Sequence, residues 1–198
     1  MACKNAMGSF VFIIFLMLLF GSCDTGIEDS PDPGILRITL ESDQSDTVIV
    51  IVTDTLTVSD DDILLMSIFQ GRVFQDSTYG VLYPTISSTR QEEIFYNLIL
   101  RESGQYKRFT IFETYVPPGF YNRIEYGIDS RFLKLKNFDL IEVITPDNYF
   151  LKLPTSFEVK SNGITEVNVS VKPFQYIIRY RDIYLFQPEM EVVGINHL

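Results

Sequence analysis

The sequence has few of the residues from which catalytic and metal sites are commonly built. Its 198 residues include no tryptophan, one histidine and two cysteines, Cys3 and Cys23. His197 has no second histidine with which to share a metal, and no Ser-His-Asp pattern of a known nucleophile is present. A glycine-rich phosphate loop and a Cys-x-x-Cys pair are also missing. These absences predict a protein that is not an enzyme and that uses no cofactor.

Basic residues are scarce as well. The sequence has 16 lysines and arginines against 26 aspartates and glutamates, which gives a formal net charge of −10 at pH 7. Such an excess of carboxylates repels a phosphate backbone, so nucleic acid is not an expected partner. Charged residues make up only 21% and hydrophobic residues 46% of the chain, which excludes a disordered tail and predicts a packed core.

One long apolar run is present, from Phe10 to Phe20, and it is too short for the roughly 20 residues that span a bilayer. It follows Lys4 and runs into Leu19-Phe20-Gly21-Ser22-Cys23, which resembles the lipobox of bacterial lipoproteins. In that family the cysteine thiol is acylated and the preceding peptide is removed. The resemblance implies a signal peptide over residues 1–22 and lipidation of Cys23. An ordinary secretory signal with a free cysteine and an uncleaved anchor are the alternatives.

Residues 23–33 are rich in acids and turn formers and lack hydrophobic periodicity, which predicts a flexible acidic tether. The expected membrane partner is the bilayer itself, because two or three acyl chains on Cys23 give stable anchoring at ~0.8 kcal/mol per buried methylene. Asp24 resembles the inner-membrane retention signal of enteric bacteria, whereas the later acids resemble surface-export tethers. We expect a lipid-anchored protein of the cell envelope, with the outer membrane or cell surface favoured over the inner membrane.

Alternation of apolar and polar residues dominates residues 34–196. It is clear in Arg123 to Ile128 and in Glu166 to Val171, as in strands with one buried face. Thr47 to Val52 is β-branched throughout and predicts a strand that is covered on both faces. Only Thr89 to Leu100 has helical spacing. The sequence therefore predicts an all-β domain, a single antiparallel β-sandwich with at most one short helix.

Turn residues separate the predicted strands, and Asn162-Gly163 predicts a type I′ hairpin. Three segments together, Pro117-Pro118-Gly119-Phe120-Tyr121, Tyr149-Phe150-Leu151-Lys152-Leu153-Pro154 and Phe157 to Val169, resemble an uncharacterised family of bacterial and archaeal lipoproteins. The resemblance implies a prealbumin-like or immunoglobulin-like β-sandwich and a role in carbohydrate binding. It implies no catalytic residues.

Acidic residues form one dense cluster, Asp60, Asp61 and Asp62, at a predicted turn. Carboxylate oxygens are the ligands that calcium prefers, so the cluster is a candidate metal site. Calcium loops usually space their ligands alternately, and a solvated acidic turn is the alternative. Other carboxylates could pair for glycoside hydrolysis, although their positions on predicted strands favour solvent-facing side chains: Glu92, Glu93, Asp182, Glu189 and Glu191.

Tyrosine is well represented, with 11 residues. Sugars stack on aromatic faces and hydrogen-bond to phenols, so Tyr115, Tyr121 and Tyr126 are candidate glycan-binding residues. Tyr121 follows a Pro-Gly turn and could instead fix a strand corner through its hydroxyl. We expect a non-catalytic binding module for glycan or another envelope component. The alternative is a structural or assembly protein whose sheet edges engage partner proteins.

Overall fold

The computed structural model describes residues 30–84, 94–136, 140–147 and 149–198. The described residues other than Ser30 belong to one compact unit, Pro31–Leu198. The predictions for the signal peptide, for Cys23 and for most of the tether therefore lie outside the described residues.

The described part of the chain is all-β, as the alternation predicted. Within it, the only helical segment is a single 3₁₀ turn, Pro173–Tyr176. The strands in chain order are β1 (Gly34–Ser42), β2 (Val48–Ile51), β3 (Asp54–Thr57), β4 (Ile63–Gln75), β5 (Thr78–Leu82), β6 (Ile94–Asn97), β7 (Arg101–Glu102), β8 (Gln105–Tyr106), β9 (Phe109–Val116), β10 (Gly119–Lys134), β11 (Ile141–Ile144), β12 (Phe150–Val159), β13 (Ile164–Val171), β14 (Ile177–Tyr180), β15 (Ile183–Phe186) and β16 (Met190–His197).

Four strands form one sheet in the order β16-β13-β1-β9. β1 and β13 are parallel, whereas β9 and β16 are antiparallel to their neighbours. The predicted alternation is confirmed in β13, because Val167, Val169 and Val171 are each no more than 1% exposed. β1 continues the same buried face with its alternate residues Leu36, Ile38 and Leu40.

A larger, eight-stranded sheet has the order β14-β15-β11-β10-β4-β5, with β12 also paired to β10 and β6 also paired to β4. β10 and β4 have 16 and 13 residues, long enough to take two partners in succession along one edge. β12 pairs with the first half of β10 and β11 with its end. Two small hairpins, β2-β3 and β7-β8, complete the described strands.

Two parallel pairs, β1 with β13 and β11 with β15, correct the prediction of a purely antiparallel arrangement. Each pair joins strands that are far apart in the sequence, so the connection runs through other elements instead of a tight turn. Alternation of apolar residues shows that a segment is a strand with one buried face. It carries no information about the direction of the neighbouring strand.

The turn at Asn162-Gly163 joins the two large sheets instead of two paired strands. β12 pairs with β10, and β13 pairs with β1 and β16. Gly163 N–H donates to the Lys160 carbonyl at 3.3 Å, and of the central residues Ser161 and Asn162 only Asn162 has positive φ, at 58°. A type I′ turn needs positive φ at both. The turn is confirmed, but the predicted hairpin is wrong.

The predicted helix from Thr89 to Leu100 is also corrected. Its first five residues lie outside the described residues, and Ile94–Asn97 forms β6 on the edge of β4. Asn97 Oδ1 accepts a hydrogen bond from Leu64 N–H, and Leu98 N–H donates to the Leu64 carbonyl, both at 3.0 Å. The segment therefore forms a strand and not a helix, because hydrogen bonds to the edge of β4 outweigh the helical spacing of its apolar residues.

The β-branched segment around β2 is covered on one face only. Ile49 and Ile51 are buried, whereas Val48 and Val50 are 46% and 59% exposed. Among the described strands, β2 pairs with β3 alone. The prediction that this strand is covered on both faces is therefore wrong, because it belongs to a small hairpin and not to either large sheet.

Side chains of both large sheets meet in one hydrophobic cluster. Phe112 of β9 lies against Tyr126 of β10, with ring centroids 5.8 Å apart. The Tyr126 hydroxyl donates to Sδ of Met190 on β16 at 2.9 Å. The cluster thus contains buried residues from the four-stranded sheet and from the eight-stranded sheet.

The two lateral sides of this arrangement differ. On one side Tyr83, which follows β5, donates its N–H to Thr114 Oγ1 at 2.7 Å, and its carbonyl accepts from Glu113 N–H at 3.3 Å, so β5 is tied to β9. On the other side β12 and β16 border a groove of about 510 Å³. No ladder within the described residues joins those two strands. One lateral side is therefore closed by hydrogen bonds, and the other is open.

Candidate functional site

Two of the three tyrosines predicted to bind glycan lie in the core. Tyr121 is 3% exposed and Tyr126 is fully buried. The Tyr121 hydroxyl donates to the Pro117 carbonyl at 2.7 Å, and its ring stacks on Phe157 at 5.6 Å. Burial raises the pKa of both phenols above the ordinary tyrosine value. Tyr121 thus forms a tyrosine corner, and neither ring presents an open face to a sugar.

Tyr115 is the exposed member of the three, with 71% of its surface accessible. It lies on β9, where its neighbours on the same face are charged side chains. Arg37 Nε lies 2.6 Å from a Glu113 carboxylate oxygen, and Arg37 Nη1 lies 3.6 Å from Glu166. Because Tyr115 is on the four-stranded sheet and the other two tyrosines are on β10, the structure does not bring the three together at one surface.

The carboxylates of Asp60, Asp61 and Asp62 are directed at different partners. Asp62 is buried and accepts hydrogen bonds from two backbone N–H groups, each at 2.7 Å. Asp61 pairs with Lys136 Nζ at 2.9 Å, and Asp60 lies 3.8 Å from Arg101 Nε. In the part of the chain that the structure describes, no group of three or more metal-ligating side chains converges. Asp62 stabilises this turn as a hydrogen-bond acceptor.

The carboxylates considered for acid and base chemistry are distributed over separate places. Glu189 and Glu191 line one cleft of about 180 Å³, together with Tyr176, whose hydroxyl donates to Glu189 at 3.2 Å. Asp182 lies in the exposed turn between β14 and β15. Glu92 and Glu93 lie outside the described residues. His197 Nδ1 is 3.3 Å from the Thr165 hydroxyl, with no acidic partner there among the described residues.

A different aromatic group lies on the face of the eight-stranded sheet that points away from the core. Arg72, Phe74, Tyr79 and Arg123 form what we call the aromatic–arginine surface. The guanidinium carbon of Arg72 lies 5.1 Å from the Tyr79 ring centroid, and Tyr79 lies 5.5 Å from Phe74. The Arg123 guanidinium lies 3.9 Å from the Phe74 centroid. Tyr79 is 55% exposed, so this stack of rings and cations is open to solvent at its Tyr79 end.

Strand register builds this stack. Phe74 of β4 is paired with Tyr79 on one side and with Arg123 on the other. Arg72 is paired with Glu125 across the ladder, but the Glu125 carboxylate lies 2.8 Å from Arg123 Nε. Glu125 therefore neutralises Arg123. Arg72 lies over Tyr79 and forms no ion pair within the described residues.

A β-bulge in β4 adjoins the Tyr79 end of the surface. Gln70 and Gly71 together oppose one residue of β10, and Gln70 has φ 49°, a left-handed value that is uncommon for a residue with a side chain. A Cβ at Gly71 would lie 2.6 Å from the Phe112 ring, so only glycine fits. The bulge borders a groove of about 250 Å³ whose lining includes Gln70, Arg72 and Tyr79.

Chemically, the groove combines a half-exposed aromatic ring, an amide and a guanidinium. The guanidinium supplies several N–H donors and a fixed positive charge, and the Gln70 amide can donate and accept. The candidate binding residues predicted from the sequence included neither Tyr79 nor Arg72. The available signal was the period of two in β4, which places Arg72 and Phe74 on one face of the strand.

Comparison with known proteins assigns the chain to no family. No protein-family model, curated protein or solved structure matches the chain. Among the described residues, no helix has the length and apolar character needed to cross a membrane. Function is therefore inferred from the geometry of the described residues and from the sequence pattern that precedes them.

Proposed function

We propose that this protein is a lipid-anchored lipoprotein of the cell envelope that acts as a non-catalytic binding module. The apolar run ending in Gly21-Ser22-Cys23 supports anchoring through acyl chains on Cys23, at the outer membrane or cell surface. The two large sheets, which share one hydrophobic cluster, are the layers of a single β-sandwich of the prealbumin-like or immunoglobulin-like kind. Such a sandwich is a rigid scaffold for a surface recognition site.

The ligand is a glycan that carries a carboxylate, bound at the aromatic–arginine surface. The observation that carries this proposal is the exposed ring of Tyr79 beside the guanidinium of Arg72, which forms no ion pair with any described residue. A sugar ring stacks on the tyrosine face, while its carboxylate accepts hydrogen bonds from the guanidinium in the fork geometry that arginine favours. The Gln70 amide lies in the same groove and is available to sugar hydroxyls.

The test is a glycan array that contains neutral and carboxylated sugars, probed with the full chain in detergent micelles. Tyr79→Ala removes the stacking face and is expected to weaken binding by roughly 2- to 12-fold, as for the loss of an aromatic contact of about 0.5 to 1.5 kcal/mol. Arg72→Met is expected to abolish the preference for carboxylated sugars. Tyr115→Ala is the matched control, because Tyr115 is an exposed strand tyrosine on the other sheet. An equal loss in the control would contradict the proposed site.

Anchoring has its own test, which does not depend on the ligand. Cells that express the full chain are labelled with a fatty-acid analogue, and label is expected on the wild-type protein and on Cys3→Ala. Cys23→Ala is expected to remove it, because the thiol of Cys23 is the acyl acceptor. Cys3 is a matched control, since the chain has only these two cysteines. Label that persists in Cys23→Ala would contradict lipidation at this residue.

A second candidate function is a structural or assembly protein of the envelope that uses its sheet edges. The observation that favours it is the open side between β12 and β16, combined with the burial of Tyr121 and Tyr126. An array without any glycan signal, together with self-association of the full chain or a defined complex with another envelope protein, would favour this second function over glycan recognition.

A further inference from the structure

The open side of the two sheets contains a second surface, separate from the aromatic–arginine surface. Its groove of about 510 Å³ is lined by Leu153, Pro154 and Thr155 of β12 and by Met190 to Ile195 of β16. The exposed Tyr79 end of the aromatic–arginine surface lies instead on β5, on the side where the sheets are tied to each other. The two surfaces share no residue. Occupation of the groove therefore does not depend on the proposed glycan site.

The backbone of β16 offers unused hydrogen-bonding groups to this groove. Ile164 and Leu198 exchange both of their backbone hydrogen bonds, at 2.9 and 3.4 Å. Hydrogen-bonded and non-hydrogen-bonded pairs alternate in an antiparallel ladder, so Ile195 and His197 fall in the intervening pairs. Their N–H and C=O groups are thus directed away from β13. No strand of the described part of the chain pairs with that edge of β16.

The opposite wall is less suited to receive a strand. Pro154 of β12 has no N–H to donate, and a proline on an edge strand is a common way to prevent pairing. On β16 the ladder shifts register around Val193, whose side chain is 55% exposed and lines the groove together with Val192. An incoming strand would therefore pair with β16 and would meet aliphatic side chains there.

One end of the groove is acidic. Glu191 lines both the groove and the adjoining cleft, which also contains Glu189. Lys172 borders the cleft, but its ammonium lies 3.6 Å from the Asp43 carboxylate, which neutralises its positive charge. Tyr176 donates its hydroxyl to Glu189 and brings no positive charge. An aliphatic groove that continues into two carboxylates complements an extended chain with apolar side chains followed by a cation.

We infer that β16 accepts an extended, basic polypeptide segment of a partner protein as a fifth strand of the four-stranded sheet. The partner's backbone pairs with Ile195 and His197, its aliphatic side chains lie over Val192 and Val193, and a lysine or arginine lies at the Glu189 end. This is recognition by strand addition, in which backbone hydrogen bonds give affinity and alternate side chains give specificity. A second copy of this chain fits less well, because its net charge of −10 opposes association with itself.

The test is fluorescence anisotropy with the full chain in detergent micelles and a labelled peptide of alternating valine and threonine that ends in two lysines. Saturable binding is expected. N-methylation of alternate amides, which removes backbone donors on one edge, is expected to weaken binding by about tenfold or more, because the lost hydrogen bonds leave desolvated backbone groups without partners. Exchange of both lysines of the peptide for glutamates is expected to weaken binding by at least as large a factor as N-methylation does.

Two surface variants locate the peptide. Val193→Lys places a long charged side chain in the groove and is expected to abolish binding, whereas Val50→Lys is the matched control. Both valines are exposed to a similar degree, 55% and 59%, so circular dichroism is expected to show both variants folded. Glu189→Gln combined with Glu191→Gln is expected to remove the preference for lysine over glutamate in the peptide.

Three results would overturn the inference. The first is equal affinity for the N-methylated peptide, which would show that no strand is added. The second is an equal loss of binding in Val193→Lys and Val50→Lys. The third is the absence of peptide binding together with self-association that Val193→Lys disrupts, which would make a second copy of the chain the occupant.

Discussion

Replacing Tyr121 by phenylalanine separates the structural role of this residue from a role in ligand binding. The substitution removes one oxygen atom, the hydroxyl that donates to the Pro117 carbonyl at 2.7 Å. The ring remains, and so does its stacking on Phe157, where the interplanar angle is 18°. The change therefore tests the hydrogen bond of the tyrosine corner with little disturbance of the packing around it.

The expected loss of stability follows from that single bond. A buried neutral hydrogen bond contributes about 1 kcal/mol net, and a carbonyl left without its partner adds to the cost, so about 1 to 2 kcal/mol is expected. For a domain of this size, each 1 kcal/mol lowers Tm by about 2 to 4 °C. Tyr121→Ala also removes the buried ring, and a loss of about 3 to 5 kcal/mol is expected, as for other large aromatic truncations.

The assay is thermal and urea unfolding of the full chain in detergent, followed by far-ultraviolet circular dichroism. Tyr115→Phe is the control, because its side chain is 71% exposed and the change is expected to alter stability by less than about 0.5 kcal/mol. Glycan binding by folded Tyr121→Phe is expected to equal that of the wild type. Unchanged stability of Tyr121→Phe together with lost glycan binding would refute the tyrosine corner and make Tyr121 a ligand contact.

Two further predictions concern the acidic turn and alkaline pH. Asp62→Ala is expected to destabilise the fold by about 2 to 3 kcal/mol in urea titrations, because two backbone N–H groups lose their carboxylate acceptor. Asp61→Ala is the control and is expected to cost less than about 0.5 kcal/mol. Added Ca²⁺ is expected to leave the calorimetric Tm of the wild type and of both variants unchanged. Burial raises the pKa of Tyr106 from 10.0 to about 12. The unfolded chain therefore loses this proton first, so the contribution of Tyr106 to stability is constant below pH 10 and falls from pH 10 to 12 by at most about 1.4 kcal/mol per pH unit. Tyr106→Phe is expected to reduce the slope of stability against pH in this range, measured by urea titrations at a series of pH values.

The sequence pattern predicted the strands best where one face is buried and the other is solvated. β13 is an example, since its valines alternate with polar residues and are buried as expected. In β10 the same alternation also indicates that Tyr126 is buried, and the site prediction did not use it. Tyr126 shares its face with Ile124 and Ile128, so the alternation itself placed that ring in the core. Its assignment to a glycan site disagreed with the period of two.

Other features depend on contacts that a period of two does not encode. β6 exists because β4 offers an open ladder to Ile94–Asn97, and the spacing of apolar residues in that segment fits a helix equally well. The pairing of Phe74 with Tyr79 and Arg123 requires the register of three strands. Register is a tertiary property, so the aromatic–arginine surface could be recognised only after the sheet was known.

At the aromatic–arginine surface, the charges of the protein have opposite effects on an anionic glycan at long and at short range. A net charge of −10 repels an anionic glycan from a distance, which opposes electrostatic steering. At physiological ionic strength this repulsion is screened beyond about 8 Å, so contacts in the groove decide the affinity. There Glu125 is engaged by Arg123, and Arg72 retains its positive charge beside the exposed ring of Tyr79. Binding of a carboxylated sugar must therefore come from stacking and from the guanidinium contact, and not from the field of the whole protein.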